Sequence, residues 1–312
     1  MKSSRAARLS TVIGGVIAIA AGVFVVRAIA SQWTEVRSSL AHADVAWLVA
    51  GVIVAGLAMI AIAVPWRRAL LLLGVETSLH HTVVWYFVGE IGKYVPGGIW
   101  PVLGRGELAR RGGLQRSAAY ASVVLSLAAL YLSAMLVTAV LVPLRFLDAG
   151  DTSALWVLVL LPIGLLLLHH RVLDWLVRRA ERLLRRELPV QVPPWSASLG
   201  LVARYLPSWL LIGTATWCIA RAFDASVGWM TIAPAAILSW VVGFVLVPVP
   251  GGVGVREAAF VALVGTSIPS STRATIAIVA RLTFMLVDAG GAAIAATLLR
   301  RTQRHPDEIV DG

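Results

Sequence analysis

Residues 93–101 read Lys93-Tyr94-Val95-Pro96-Gly97-Gly98-Ile99-Trp100-Pro101, and residues 248–254 read Pro248-Val249-Pro250-Gly251-Gly252-Val253-Gly254. Each stretch interrupts an apolar run with proline and adjacent glycines, which remove a backbone donor and favour non-helical dihedrals. A chain can be helical up to such a point and again beyond it, but not through it. An arginine and a glutamate follow each break: Gly104-Arg105-Gly106-Glu107 after the first, Val255-Arg256-Glu257 after the second.

Outward from these breaks the chain is overwhelmingly apolar. Hydrophobic residues make up 59% and charged residues 14%, with a mean hydropathy of +0.84; soluble domains carry about 45–50% apolar and about 25% charged residues. There is too little polar surface to cover a water-soluble globule. Full crossings are legible at 9–30, 46–64, 117–142, 154–168, 199–220 and 273–299. Such lengths suit a bilayer core, which takes about 20 helical residues. The net charge of +11 sits in short basic blocks between the apolar runs, so it reads as topology rather than as a nucleic-acid surface. Lys2 and Lys93 are the only lysines.

Those basic blocks set the sidedness. Lys2, Arg5 and Arg8 place the N-terminus in the cytoplasm, Arg67 and Arg68 bring the chain back there, and Arg105, Arg110, Arg111 and Arg116 mark the next loop as cytoplasmic too. The apolar stretch between, 82–103, is therefore expected to enter and leave by one face. Arg300, Arg301 and Arg304 place the end of the last crossing inside, which requires 231–266 to enter and leave from the outside. The N-terminal segment resembles a signal peptide, but its apolar core is longer than usual, so an uncleaved first crossing is expected. Between 169 and 188, Arg171, Asp174, Arg178, Glu181 and Arg185 share one helical face opposite Val172, Leu176 and Leu183, the pattern of an amphipathic helix lying along the cytoplasmic interface.

The expected fold is an all-α, polytopic integral membrane protein forming one membrane domain over 1–312. It has two inverted halves, six full crossings, two re-entrant broken-helix hairpins and both termini cytoplasmic. The first half is 46–142 with hairpin 82–103, and the second is 199–299 with hairpin 231–266. Such a chain belongs in the cell's inner membrane.

Corresponding Gly/Pro breaks in halves of opposite orientation point to a transporter's substrate site. A half-helix starting after each break aims free N–H groups and a positive dipole end inward, which suits a phosphate. Lys93, Pro96, Gly97, Gly98 and Arg105 from the first break, with Pro250, Gly251, Gly252 and Arg256 from the second, are the candidate substrate-binding residues, Arg105 and Arg256 being the main cations. The competing reading makes Pro-Gly-Gly a turn between packed helices.

Glu90, Glu107, Glu257, Arg281 and Asp288 are the candidate supporting charges. Arg281 and Asp288 share one face of the last crossing, and a charge there costs about 2.5–3.5 kcal/mol to insert, so both are expected to face the bundle interior. Arg281 is a partner for Glu257 or Glu90, Glu90 and Lys93 are spaced to pair, and Glu257 is expected to orient Arg256. Tyr120, Ser122, Ser126, Tyr131 and Ser133 either line a polar path or bond helix to helix. Cys218, the single cysteine, excludes an intramolecular disulfide and a cysteine metal site, and His80 and His81 lack ligand spacing. No cofactor and no metal are expected.

Through Gly92-Lys93-Tyr94-Val95-Pro96-Gly97-Gly98-Ile99-Trp100, Gly104-Arg105-Gly106-Glu107 and the 248–257 motif, the chain resembles the flippase-like membrane family that includes the transmembrane domain of lysylphosphatidylglycerol synthases. The resemblance covers about 46–301. It implies movement of a lipid head group between leaflets, with an aminoacylated phospholipid or a polyprenyl-phosphate-linked glycan as cargo. Many relatives carry a Glu-Arg pair where this sequence has Leu125 and Ser126. The sequence runs only a little past Leu299, so an aminoacyl-transferase domain and lysyl-lipid synthesis are not expected. With no nucleotide-binding motif, a lipid transporter is the leading reading. An integral membrane enzyme acting on a polyprenyl-phosphate lipid and a non-transporting partner of envelope-lipid biosynthetic enzymes are the alternatives.

Overall fold

The computed structural model describes residues 40–41, 43–95, 99–147, 193–224, 226–245, 254–266 and 268–304, together with single helical residues and pairs at 23, 27, 37 and between 166 and 182. Every regular element among them is helical: α1 (Val45–Leu72), α2 (Leu79–Glu90) running into a 3-10 turn (Ile91–Tyr94), α3 (Trp100–Arg111), α4 (Arg116–Leu147), α5 (Trp195–Phe223), α6 (Trp229–Val245), α7 (Val255–Val264) and α8 (Ser270–Arg304). Asp44 caps α1 by accepting from the Ala46 N–H, and Ser78 caps α2 by accepting from that of His81. Gly254, at φ +80°, opens α7, and its N–H donates to Glu257 Oε2 at 2.6 Å. That positive φ is one that a side chain would resist.

Three helices, Val45–Leu72, Arg116–Arg145 and Ser270–Arg300, are long and apolar enough to cross a membrane. On α1 the exposed face carries Val49, Val52, Ile53, Leu57, Ile60 and Val64, while Ala55, Ala58, Met59 and Ala63 turn inward. A wholly apolar outward face opposite an inward face rich in small residues is the arrangement of a helix solvated by lipid and packed on close neighbours. The crossing expected at 199–220 is a single 29-residue helix, α5, whose apolar run is softened by Pro207, Ser208, Thr214, Thr216 and Arg221. The crossings expected at 9–30 and 154–168, and most of the interfacial helix at 169–188, lie outside the described residues.

Helices α1 and α5 form the central pair and run antiparallel. The Asp44 N–H donates to the Ala222 carbonyl, the Trp47 and Trp217 rings meet edge-on at 5.3 Å, and a Cβ on Gly51 would stand 2.8 Å from Ile219. Helix α4 runs parallel to α5: Ser126 bonds the Tyr205 hydroxyl at 2.6 Å, and one turn further Trp209 Nε1 donates to Ser133 Oγ and the Leu130 carbonyl. Trp66 Nε1 donates to Ser122 Oγ. The serines of α4 thus bond helix to helix.

Two antiparallel pairs of shorter helices complete the bundle. In α2–α3, Trp85 lies against Gly112, Gly89 against Arg105, and Gly92 against Trp100 and Pro101. A Cβ on Gly89 would come within 2.7 Å of the Arg105 backbone nitrogen, so only glycine admits this approach. In α6–α7, the Arg145 guanidinium at the end of α4 donates both to the Thr231 carbonyl at the start of α6 and to the Leu263 and Val264 carbonyls at the end of α7. Both ends of that pair are therefore held at one level. Arg273 adds a bond to the Val261 carbonyl. At Val261, Leu263 and Val264 these two arginines satisfy carbonyls that the last turn of α7 leaves without partners.

The packing repeats. If α1 is exchanged with α5, α2 with α6, α3 with α7 and α4 with α8, each substantial contact between helices maps onto another: α4 on α6 onto α8 on α2, and α3 on α4 onto α7 on α8. The α1–α5 contact maps onto itself, as a twofold relation requires, and it is antiparallel. The halves therefore point in opposite directions.

Candidate functional site

The interior charges gather where the two short pairs meet α8. Asp288, 1% exposed at the middle of α8, accepts from the Lys93 ammonium at 2.7 Å and from the Tyr94 hydroxyl at 2.6 Å. Lys93 also lies 3.5 Å from Glu90, one turn back, and Glu90 is in turn 3.7 Å from Arg105. Two turns N-terminal to Asp288, Arg281 pairs with Glu257 of α7 at 2.8 Å. Both charges of the last crossing face inward and are paired, which offsets their insertion cost.

Arg256 is placed differently. Its guanidinium stacks 3.6 Å from the centre of the Trp240 ring and 5.6 Å from that of Phe284, with no carboxylate in ion-pair contact among the described residues. Trp240 is also where the halves meet, because the Lys93 ammonium of the first half lies 5.9 Å from the same ring. Arg256, Glu257 and Trp240, with Thr216, Ser239 and Phe260, line a narrow, partly open cleft. In this cluster the four cations Lys93, Arg105, Arg256 and Arg281 face the three carboxylates Glu90, Glu257 and Asp288. One positive charge is left over, and it stands at the cleft.

Arg105 and Arg256 occupy corresponding places. In the first pair Tyr86 and Gly89 hold Arg105; in the second Trp240 and Gly243, at the same three-residue spacing, hold Arg256. A Cβ on either glycine would press on the arginine opposite. Yet Arg105 is 2% exposed, enclosed by Trp66 at 5.9 Å and Tyr86 at 5.3 Å, with Glu90 beside it. The two arginines named together from sequence are thus separated by environment: one is sealed, the other is half-buried at the edge of a cleft.

Glu107 stands apart from the cluster. It holds Arg110 and Arg111 at the exposed end of α3, and its carboxyl is lowered to about 2, first by the hydrogen bond from Arg110. Glu257, expected beside Arg256, gives one oxygen to Arg281 and the other to the Gly254 N–H, so it braces the start of α7 instead. Pro96, Gly97, Gly98, Pro250, Gly251 and Gly252 lie outside the described residues. Tyr94, Trp240, Tyr86 and Arg145 were given no role from sequence. The aromatic three residues before a glycine in the first limb of each pair is the signal that finds two of them. Among the described residues no group of three or more His, Cys, Asp or Glu side chains is arranged to hold a metal.

Fold and site together define a multi-pass α-helical membrane protein with a charged interior built from two opposed halves. A family model described as the lysylphosphatidylglycerol synthase TM region matches residues 11–300, and the chain belongs to that family. The family points to a lipid-related function in the cell envelope. No individually curated protein matches the chain significantly.

Proposed function

We propose that this protein is a lipid flippase or head-group transporter, not an enzyme. It moves a phosphate-containing envelope lipid, an aminoacylated phospholipid or a polyprenyl-phosphate-linked glycan, between the leaflets of the inner membrane. The observation that carries this reading is the meeting of Lys93 and Arg256, one from each half, on the single ring of Trp240 beside a cleft. An uncompensated guanidinium inside a bilayer protein is costly unless an anion visits it, and its planar fork matches a phosphate.

The short pairs are re-entrant hairpins in this reading. Helices α2 and α3, at 12 residues each, are about 18 Å long, and α7 is about 15 Å, against a bilayer core of about 30 Å. The first hairpin enters from the cytoplasm and the second from outside, among six full crossings with both termini cytoplasmic. Non-helical backbone at membrane depth is tolerated where it lines a cavity, and a Pro-Gly-Gly sequence between the helices of each pair suits such a route. The head group passes from one hairpin's side to the other's while the tail stays in the bilayer.

The test is reconstitution of the purified chain in liposomes with fluorescent phosphatidylglycerol, lysyl-phosphatidylglycerol or a polyprenyl-phosphate glycan. We expect leaflet exchange of at least one of these without covalent change. A covalently altered lipid would instead favour an enzyme, and neither outcome with any of the three would sink the transporter reading. For topology, single cysteines at Gly113 and Gly228 in a Cys218-free chain should be labelled from opposite faces; labelling from the same face overturns the opposed insertion.

A further inference from the structure

Asp288 is the one fully buried acid among the described residues, and its two oxygens are used unequally. Oδ2 accepts from Lys93 and Tyr94, whereas Oδ1 has no hydrogen-bond partner. The charged and titratable groups around it are Glu90, Lys93, Tyr94 and Tyr86 from α2 and its 3-10 turn, Arg105 from α3, Arg256 and Glu257 from α7, and Arg281 on α8 itself. Helices α1 and α5 also pack on α8 and present no ion pair to it among the described residues. Among the described residues Lys93 is thus the only cation in ion-pair contact with Asp288, and it lies over the ring that also carries Arg256.

A phosphate docked on Arg256 draws on that same ammonium. Were Lys93 to turn toward it, Glu90 would keep Arg105, but Asp288 would be left as a buried carboxylate with one hydroxyl donor and no cation. Such a group neutralises itself by taking a proton. We propose that Asp288 is a proton-binding site coupled to the lipid site. Arrival of the phosphate transfers Lys93 from Asp288 to the lipid, and Asp288 takes up one proton from water on Oδ1. Tyr94 goes on donating to Oδ2, Lys93 stays an ammonium and the phosphate stays an anion. The added negative charge and the added proton cancel, so the interior keeps its single excess positive charge whether empty or loaded. This inference rests on the phosphate site proposed above and names the ion that travels with it.

The experiment is calorimetric titration of the detergent-solubilised full chain with dihexanoyl phosphatidylglycerol at near-neutral pH, in buffers of different ionisation enthalpy. The phosphodiester does not titrate there, so any proton counted belongs to the protein. The wild type should take up about one proton per lipid bound, and Asp288→Asn close to none while still binding, as linkage requires. Binding without proton uptake by the wild type, or unchanged uptake in Asp288→Asn, overturns the coupling and leaves the phosphate site standing. Absence of binding by the wild type removes the site and the coupling together. Should Asp288→Asn fail to fold, Glu90→Gln decides: uptake retained supports Asp288, and uptake lost moves the proton to Glu90 and overturns the assignment.

Discussion

The two short helix pairs, α2–α3 and α6–α7, use one device in two settings. In each, an aromatic ring and a glycine on the first limb receive an arginine from the second: Tyr86, Gly89 and Arg105 on one side, Trp240, Gly243 and Arg256 on the other. In the first the limbs touch backbone to backbone and the arginine is sealed beside Glu90; in the second the approach is looser and the arginine faces a cleft. The open ends differ as well, since Arg145 and Arg273 clamp the second pair through its carbonyls. The comparison teaches that repeated motifs need not be in equivalent states at the same moment.

The comparison breaks most visibly at the glycines. Gly89→Ala places a methyl 2.6 Å from Arg105 Cγ and 2.7 Å from its backbone nitrogen, so the limbs must part. Overpacking of this kind costs about 1–3 kcal/mol, and a backbone clash belongs at the upper end. Gly243→Ala meets only the Arg256 side chain at 3.1 Å and should cost clearly less. Thermal midpoints in detergent check both, with Gly56→Ala, which meets nothing, as the control. Equal losses at Gly89 and Gly243 would mean that the two pairs are packed alike.

A smaller effect is expected at the clamp. Arg145→Ala removes bonds to the Thr231, Leu263 and Val264 carbonyls, and hydrogen bonds to charged groups contribute about 1.5–3 kcal/mol. Part of that loss is recovered by water at the exposed end of the pair. Hydrogen exchange should rise in α6 and α7 and stay unchanged in α2 and α3; a rise in both pairs would contradict a local clamp.

The smallest effect belongs to Glu107. Its carboxyl is held low in the folded state, so its contribution is complete above the ordinary value of 4.5 and is lost as pH falls through about 2. The Glu107 pairs are partly exposed ion pairs at the end of α3, screened by solvent, and Glu107→Gln should cost no more than about 1 kcal/mol at neutral pH. Leaflet exchange by that variant should match the wild type; a large transport defect would return Glu107 to the site.

Much of this was legible in the chain. Long apolar runs announce helices, because insertion cost acts on composition alone. Arg281 and Asp288 were legible as interior for the same reason. The pairs Arg281 with Glu257 and Glu90 with Lys93 were among those the sequence offered, but it also gave Glu257 to Arg256 and left the choice open. Glu257 is adjacent to Arg256 in the chain, but on a helix neighbouring residues point about 100° apart, so α8 captures Glu257 through Arg281. Arg105 and Arg256 look alike in their motifs, and only the third dimension places Trp66 and Glu90 around one of them. Trp240 was invisible as a site residue because it lies well before the break that it serves.

The most direct test of the shared site is the rate of labelled-lipid exchange in proteoliposomes for Arg256→Ala and Arg256→Lys beside the wild type, each checked for folding. The account predicts that Arg256→Ala abolishes exchange, and that Arg256→Lys restores only part of it, because an ammonium lacks the bidentate fork of the guanidinium. Wild-type exchange by folded Arg256→Ala would contradict it.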